Sequence, residues 1–207
     1  MRVGLFGGAF DPVHNAHLFI AEAVRSLENL DSIIFLPTGS GWHREPPRAP
    51  IQARAAMLRL AIAANPAFAV DLSDADESST GFTADLIPRV RARFPDDAFF
   101  FVAGADSVAS RWQRFDEVLR LLDGFLVAPR GRVTEDEVAR SLDGLPAALR
   151  AKVRVLPLPL LDESATLVRE RTEAGESVRY LVPEPVWRYI VAHGLYRARV
   201  MSDQKTE

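Results

Sequence analysis

The opening stretch Met1-Arg2-Val3-Gly4-Leu5-Phe6-Gly7-Gly8-Ala9-Phe10-Asp11-Pro12-Val13-His14-Asn15-Ala16-His17 decides the fold. Val3 to Phe6 is an unbroken apolar run, the mark of a strand buried on both faces rather than one half exposed to water. It leads into Gly7-Gly8, and a helix begins near Ala16. Strand, glycine pair, then helix is the arrangement that opens a ligand site beyond the carboxyl end of a parallel strand. Glycines there let backbone approach a phosphate or ribose, and the helix offers free N–H groups and a positive dipole end. The pair fits neither the dinucleotide fingerprint nor a P-loop, and by itself it is as compatible with a tight turn.

Outward from this segment the same alternation continues. Leu18 to Leu30 has helical spacing, with Leu18, Ala21, Val24 and Leu27 on one face. Ser32 to Pro37 is a second strand. Ile51 to Ala64 is helical and stops at Asn65-Pro66. Phe68 to Leu72 is a weaker strand, Thr83 to Phe94 a helix and Ala98 to Ala103 a strand. Val108 to Leu122 is one helix or two short ones, and Phe125 to Ala128 a strand. Thr134 to Arg150 is helical with a break at Gly144-Leu145-Pro146, and Val153 to Leu156 is the last strand. Ala165 to Ala174 and Glu184 to His193 are closing helices. This pattern predicts an α/β, Rossmann-like doubly wound parallel sheet with helices on both faces and a small helical C-terminal segment. Its crossovers should be right-handed. One domain over residues 1–200 with a polar, frayed tail over 201–207 accommodates the length. The stretch from Thr38 to Pro50 holds three prolines, four counting Pro37, and two glycines. It lies inside the alternating pattern and is a candidate active-site loop.

Composition narrows the chemistry. The formal net charge is −3, so no global basic field is available to hold a nucleic-acid backbone. A polyanionic ligand would need local cations. The chain has no cysteine, which excludes disulfides, thiolate metal sites and a cysteine nucleophile. No apolar run approaches membrane-spanning length or a signal-peptide core, so a cytoplasmic protein without membrane or nucleic-acid partners is the default expectation.

His14 and His17 are three positions apart, which places both side chains on one face of the first helical turn beside Asp11. A single histidine there is commonly a cap or a solvated surface residue. Two on one face beyond a strand end point to a ligand. Two histidines and one carboxylate could bind zinc, but no third histidine or cysteine lies nearby. Phosphate ligation by imidazole N–H groups suits the pair better, and no protein-held metal is expected.

The segment GGAFDPVHNAH resembles the signature of the H-x-G-H nucleotidyltransferases. In particular it is similar to that of bacterial nicotinate-nucleotide adenylyltransferases, which read G-G-x-F-D-P-x-H-x-G-H. Ala16 stands where the family has the glycine between its two histidines. The family's proline-rich loop ends in His-Lys; here it ends in His43-Arg44. Arg54 and Met57 match its R-x-x-M, although Arg54 could equally be an ordinary solvated helix residue. Gly81-Phe82-Thr83 keeps the ring and threonine of a segment that holds the nicotinate end, though Thr83 is also a natural helix N-cap. Gly104-Ala105-Asp106-Ser107 matches G-A-D-S, and Trp112 stands where the family stacks a ring on the pyridine. Ser164, Thr166 and Arg169 match I-S-S-T-x-I-R, with Glu163 and Ala165 replacing its isoleucine and one serine. The C-terminal match, through His193-Gly194-Leu195-Tyr196, is structural, with His193 a helix C-cap.

The resemblance implies transfer of AMP from ATP, accompanied by Mg²⁺, onto nicotinate mononucleotide. His14, His17 and Arg44 would be catalytic. Gly7, Gly8, Ala9, Phe10, His14, His17, Gly104, Asp106, Ser164, Thr166 and Arg169 would bind ATP. His43, Arg44, Phe82, Thr83 and Trp112 would bind the mononucleotide. Glu163 would lie near the triphosphate. Nicotinamide mononucleotide or another acceptor, a cytidylyl transfer and a non-catalytic nucleotide-binding regulator stay open, as does a homo-oligomer.

Overall fold

The computed structural model describes residues 1–39, 46–75, 80–109 and 112–198. The elements run β1 (Arg2–Gly8), α1 (Asn15–Leu27), β2 (Ser32–Pro37), α2 (Ile51–Ile62), β3 (Phe68–Val70), α3 (Thr83–Arg93), β4 (Ala98–Gly104) and α4 (Ala105–Ala109). Then follow α5 (Phe115–Leu121), β5 (Gly124–Ala128), α6 (Glu135–Ser141), α7 (Ala147–Arg150), β6 (Val153–Val155), α8 (Ala165–Glu173) and α9 (Glu184–Ala192). The six strands form one sheet in the order β3-β2-β1-β4-β5-β6. Every pairing is parallel, with Leu5 between Ile34 on β2 and Phe101 on β4. This is the doubly wound order, and its direction reverses between β1 and β4, where such sheets bind ligands.

Side-chain alternation along the strands divides the core in two. Phe6, Phe35, Phe100, Val102 and Leu126 point to one face and pack with α1, α2, α8 and α9 through Val24, Met57, Val168 and Ile190. Leu5, Phe99, Phe101, Phe125 and Val127 point to the other and pack with α3 to α7 through Ile87, Val108, Leu119, Val138 and Leu149. Burial on both faces is what makes these strands read as continuous apolar runs.

Several boundaries differ from expectation. β1 continues through Gly8, so the glycine pair is strand and not turn. A Cβ on Gly7 would come within 2.8 Å of the Phe101 ring, so the glycine is needed for close strand packing. The reversal falls instead on residues 9–13, where Phe10 has φ +46°. α1 starts at Asn15 and ends at Leu27, whose side chain is exposed. Leu30 lies beyond the helix yet is buried. The 108–122 stretch is two short helices, the first beginning at Ala105. Thr83 is the first residue of α3 and not its cap, which is Phe82. The Thr80 hydroxyl accepts from the Phe82 amide and donates to the Asp85 carboxylate in the first turn of α3, and the Asp85 amide is bonded to Phe82 O.

Candidate active site

The loop between β1 and α1 is held from several sides. Asp11 is buried; its Oδ2 accepts from the Arg48 amide at 2.7 Å, and its Oδ1 accepts from the Ala49 amide at 3.1 Å and the Tyr196 hydroxyl at 2.7 Å. Burial and the neighbouring Asp11 carboxylate hold the Tyr196 phenol far above its ordinary range, so it stays a donor. Arg54 is buried rather than solvated: it donates to the carbonyls of Ala9 at 2.6 Å and Ala49 at 3.1 Å. Burial lowers its pKa from the ordinary value. An internal cation bonded to two carbonyls is a brace for the loop rather than a ligand-binding side chain.

At the end of this loop His14 caps α1 and is only 2 % exposed; His17, one turn on, is 6 % exposed. Their ring centroids are 3.7 Å apart. The His14 amide donates to His17 Nδ1 at 3.2 Å, one half of a capping box built from histidine. The neutral His17 ring must therefore carry its proton on Nε2. Burial, with the Arg130 charge second, pulls His14 down to about 3. Burial, then His14 and Arg130, also holds His17 well below the ordinary histidine range. The pair is neutral at physiological pH. Neither nitrogen of His14 has a hydrogen-bond partner among the described residues, although the ring is buried. Such unpaired polar atoms cost about 1–3 kcal/mol each in a protein interior and are tolerated where a ligand completes them.

Both histidines line a cleft of about 380 Å³, counting its open mouth, at the switch point. Phe6, Ala16, Ile20, Ala103, Leu161, Pro129 and Ala128 supply apolar walls, Gly104 part of the floor, and Arg130 and Glu163 the formal charges. The cleft thus joins the carboxyl ends of β1, β4 and β5, the first turns of α1 and the segment before α8. The expected supply of free amides at the start of α1 is small. The Asn15 amide is bonded to Leu181 O at 3.0 Å and the His17 amide to His14 O at 3.0 Å.

The sequence-predicted residues fall into groups. His14, His17 and Gly104 meet in the cleft, with Ala16 and Glu163 beside them. Asp106 folds against the cleft's Arg130, Nε to Oδ2 3.7 Å. Ser164 caps α8 by accepting from the Leu167 amide. Arg169 is braced inward, donating to Asp11 O at 2.8 Å and Thr166 Oγ1 at 3.1 Å. Gly7, Gly8, Ala9 and Phe10 form the strand end and loop that carry the histidines, and the Phe10 ring lies edge-on to His17 at 5.0 Å.

Phe82, Thr83 and Trp112 are not part of the cleft lining. Arg114 lies over the Phe82 ring at 5.8 Å and pairs with Asp85 in the first turn of α3. Trp112, two positions before Arg114, is half-buried with its edges against Phe101, Phe115 and Phe125. His43 and Arg44 lie outside the described residues. Arg130 was missed by sequence reasoning because it sits in Ala128-Pro129-Arg130-Gly131-Arg132, a charged loop like many others. Its position two residues past the carboxyl end of β5 was the available signal.

The buried imidazole pair thus lies at the switch point of a doubly wound sheet, where such sheets bind ligands. Residues 5–171 match the cytidylyltransferase-like family. The chain belongs to that family and, within it, to the nicotinate-nucleotide adenylyltransferases. A protein of Clavibacter michiganensis named "Probable nicotinate-nucleotide adenylyltransferase" is 38% identical over 201 residues, covering 96% of this chain and 95% of its own length. One of the same name from Rubrobacter xylanophilus is 37% identical over 204 residues, covering 96% and 93%. The nicotinic acid mononucleotide adenylyltransferase of Plasmodium falciparum complexed with NaAD shares the fold, with a TM-score of 0.76, 17% identity and coverage of 94% and 97%. Among the described residues no helix is long and apolar enough to cross a membrane.

Proposed function

We propose that this chain joins ATP to nicotinate mononucleotide, giving nicotinate adenine dinucleotide (deamido-NAD) and pyrophosphate. The observation that carries the reading is the buried pair His14 and His17, with both nitrogens of His14 unpartnered, at the junction of β1 and β4. The names of relatives spanning nearly the whole chain supply the substrates.

In this reading a 5′-phosphate oxygen of the mononucleotide attacks the α-phosphorus of ATP in line. The bond from that phosphorus to the oxygen bridging the β-phosphate breaks, and pyrophosphate leaves with the bonding electrons. The nucleophile is already anionic at neutral pH, so no general base is required. Alignment and charge stabilisation are what the protein must supply. His14 and His17 donate to the transferring and leaving oxygens as neutral imidazoles; in a cleft with apolar walls such donors act more strongly than in water. Arg44 and Arg169 add cations, and the Phe82–Thr83 segment with Trp112 receives the pyridine end. Mg²⁺ is part of the ATP substrate, carried on its phosphate oxygens, where it offsets triphosphate charge.

The test is chromatographic: ATP and nicotinate mononucleotide are incubated with the chain, and deamido-NAD and pyrophosphate are quantified. Equimolar formation of both supports the reading. Turnover only with nicotinamide mononucleotide would reassign the acceptor, and no product with either would overturn it.

A further inference from the structure

The charges in the cleft are a poor match for a triphosphate as they stand. The histidines are neutral, Glu163 is acidic, and Arg169 is bonded to Asp11 O and Thr166. Among the described residues the one cationic side chain lining the cleft is Arg130. It is turned toward Asp106, but their 3.7 Å approach is too long for a hydrogen bond, and the side chains are 43% and 46% exposed. An ion pair of that kind holds weakly and exchanges easily. Both side chains fold over Gly104, where a Cβ would come within 2.5 Å of Asp106 Oδ1 and 2.9 Å of Arg130 Cδ. The guanidinium is also close enough to the histidines for its charge to oppose protonation of both rings.

We propose that Arg130 is a catalytic residue of the adenylyl transfer: on nucleotide binding it exchanges Asp106 for the reacting phosphates, and Asp106, released, accepts from ribose hydroxyls. The inference rests on the proposed reaction. The exchange leaves no charge stranded, since each group trades a loose partner for a closer one. A guanidinium can grip two phosphate oxygens at once, and it would do so beside the histidine donors. A glycine at 104 leaves room for the two side chains to part without a backbone shift.

The experiment compares Arg130→Ala, Arg130→Lys and Asp106→Asn with the wild-type chain. Affinity for Mg-pyrophosphate is read by calorimetry and steady-state kinetics with ATP and nicotinate mononucleotide. The fork and charge of Arg130 predict a pyrophosphate affinity at least about tenfold weaker in Arg130→Ala and intermediate in Arg130→Lys. Affinity should rise in Asp106→Asn, where the competitor for the guanidinium is neutral. kcat should fall by about 100-fold in Arg130→Ala, the usual cost of one transition-state donor, with KM for the mononucleotide nearly unchanged. Wild-type pyrophosphate affinity in Arg130→Ala would overturn the proposal. Equal weakening in Arg130→Ala and Asp106→Asn would also overturn it, because the pair would then be a structural strut. If the wild-type chain makes no deamido-NAD, the assigned reaction fails, and the pyrophosphate affinities still judge Arg130.

Discussion

Tyr196 donates a 2.7 Å hydrogen bond to Asp11 across 185 positions, tying the far end of the described chain to the loop that carries His14. Asp11 also accepts from the amides of Arg48 and Ala49, and its carbonyl accepts from Arg169. One buried carboxylate residue thereby registers four segments that are remote in sequence. Tyr196→Phe removes only the hydroxyl. It should cost about 1–3 kcal/mol, as expected for a buried hydrogen bond to a charged group. Urea unfolding of Tyr196→Phe, Asp11→Asn and the double variant gives the coupling directly. A coupling energy near zero would mean that the bond contributes nothing.

The histidine pair makes stability depend on acid. In the unfolded chain both histidines titrate near 6.5, while in the fold His14 is held at about 3 and His17 is also depressed. Above the unfolded value both states are neutral and nothing is lost. As pH falls below about 6.5 the unfolded state takes up protons that the fold excludes, so stability declines until the folded values are reached. By pH 5 His14 contributes a loss of about 2 kcal/mol, and His17 adds a loss of the same sign. His14→Gln should flatten the decline between pH 7 and 5 relative to wild type. An unchanged slope would show that His14 does not stay neutral in the fold.

Removing the His17 ring should strike turnover rather than binding. His17→Ala is expected to lower kcat by about 100-fold or more with a much smaller change in KM, because its donor acts on charge that develops during the transfer. Near-normal turnover in steady-state assays would rule out a catalytic His17.

Glu163 lines the cleft with the two histidines, where its charge opposes that of a triphosphate. Glu163→Lys reverses the charge and should lower KM for ATP by severalfold, an effect that fades as salt is raised. A raised or unchanged KM would mean that the carboxylate faces away from the phosphates.

The sheet was legible in the sequence because its strands are buried on both sides. Ser32–Pro37 reads as a strand at its true boundaries, and the helices between strands fall within a few residues of their observed limits. The misses have local causes. Gly7 looked like a turn because its partner, the Phe101 ring, is a non-local neighbour. The start of α1, expected near Ala16, falls one residue earlier at Asn15, with a histidine as its cap. His14 and His17 were visible as a pair through their spacing. Arg130, Asp11 as a junction and Arg54 as an internal brace depend on contacts between distant segments, which spacing along the chain does not encode.

The division of the core by strand alternation bears on how such a protein can diverge. Phe6, Phe10 and Ile20, beside the histidines, pack on one face of the sheet, whereas Trp112, Phe101 and Phe115 pack on the other. The sheet is then a partition between two separately tunable halves. Substitutions around Trp112 can therefore be accommodated without repacking the wall behind His17. A lineage built on this plan can vary the packing of one half while the other is kept.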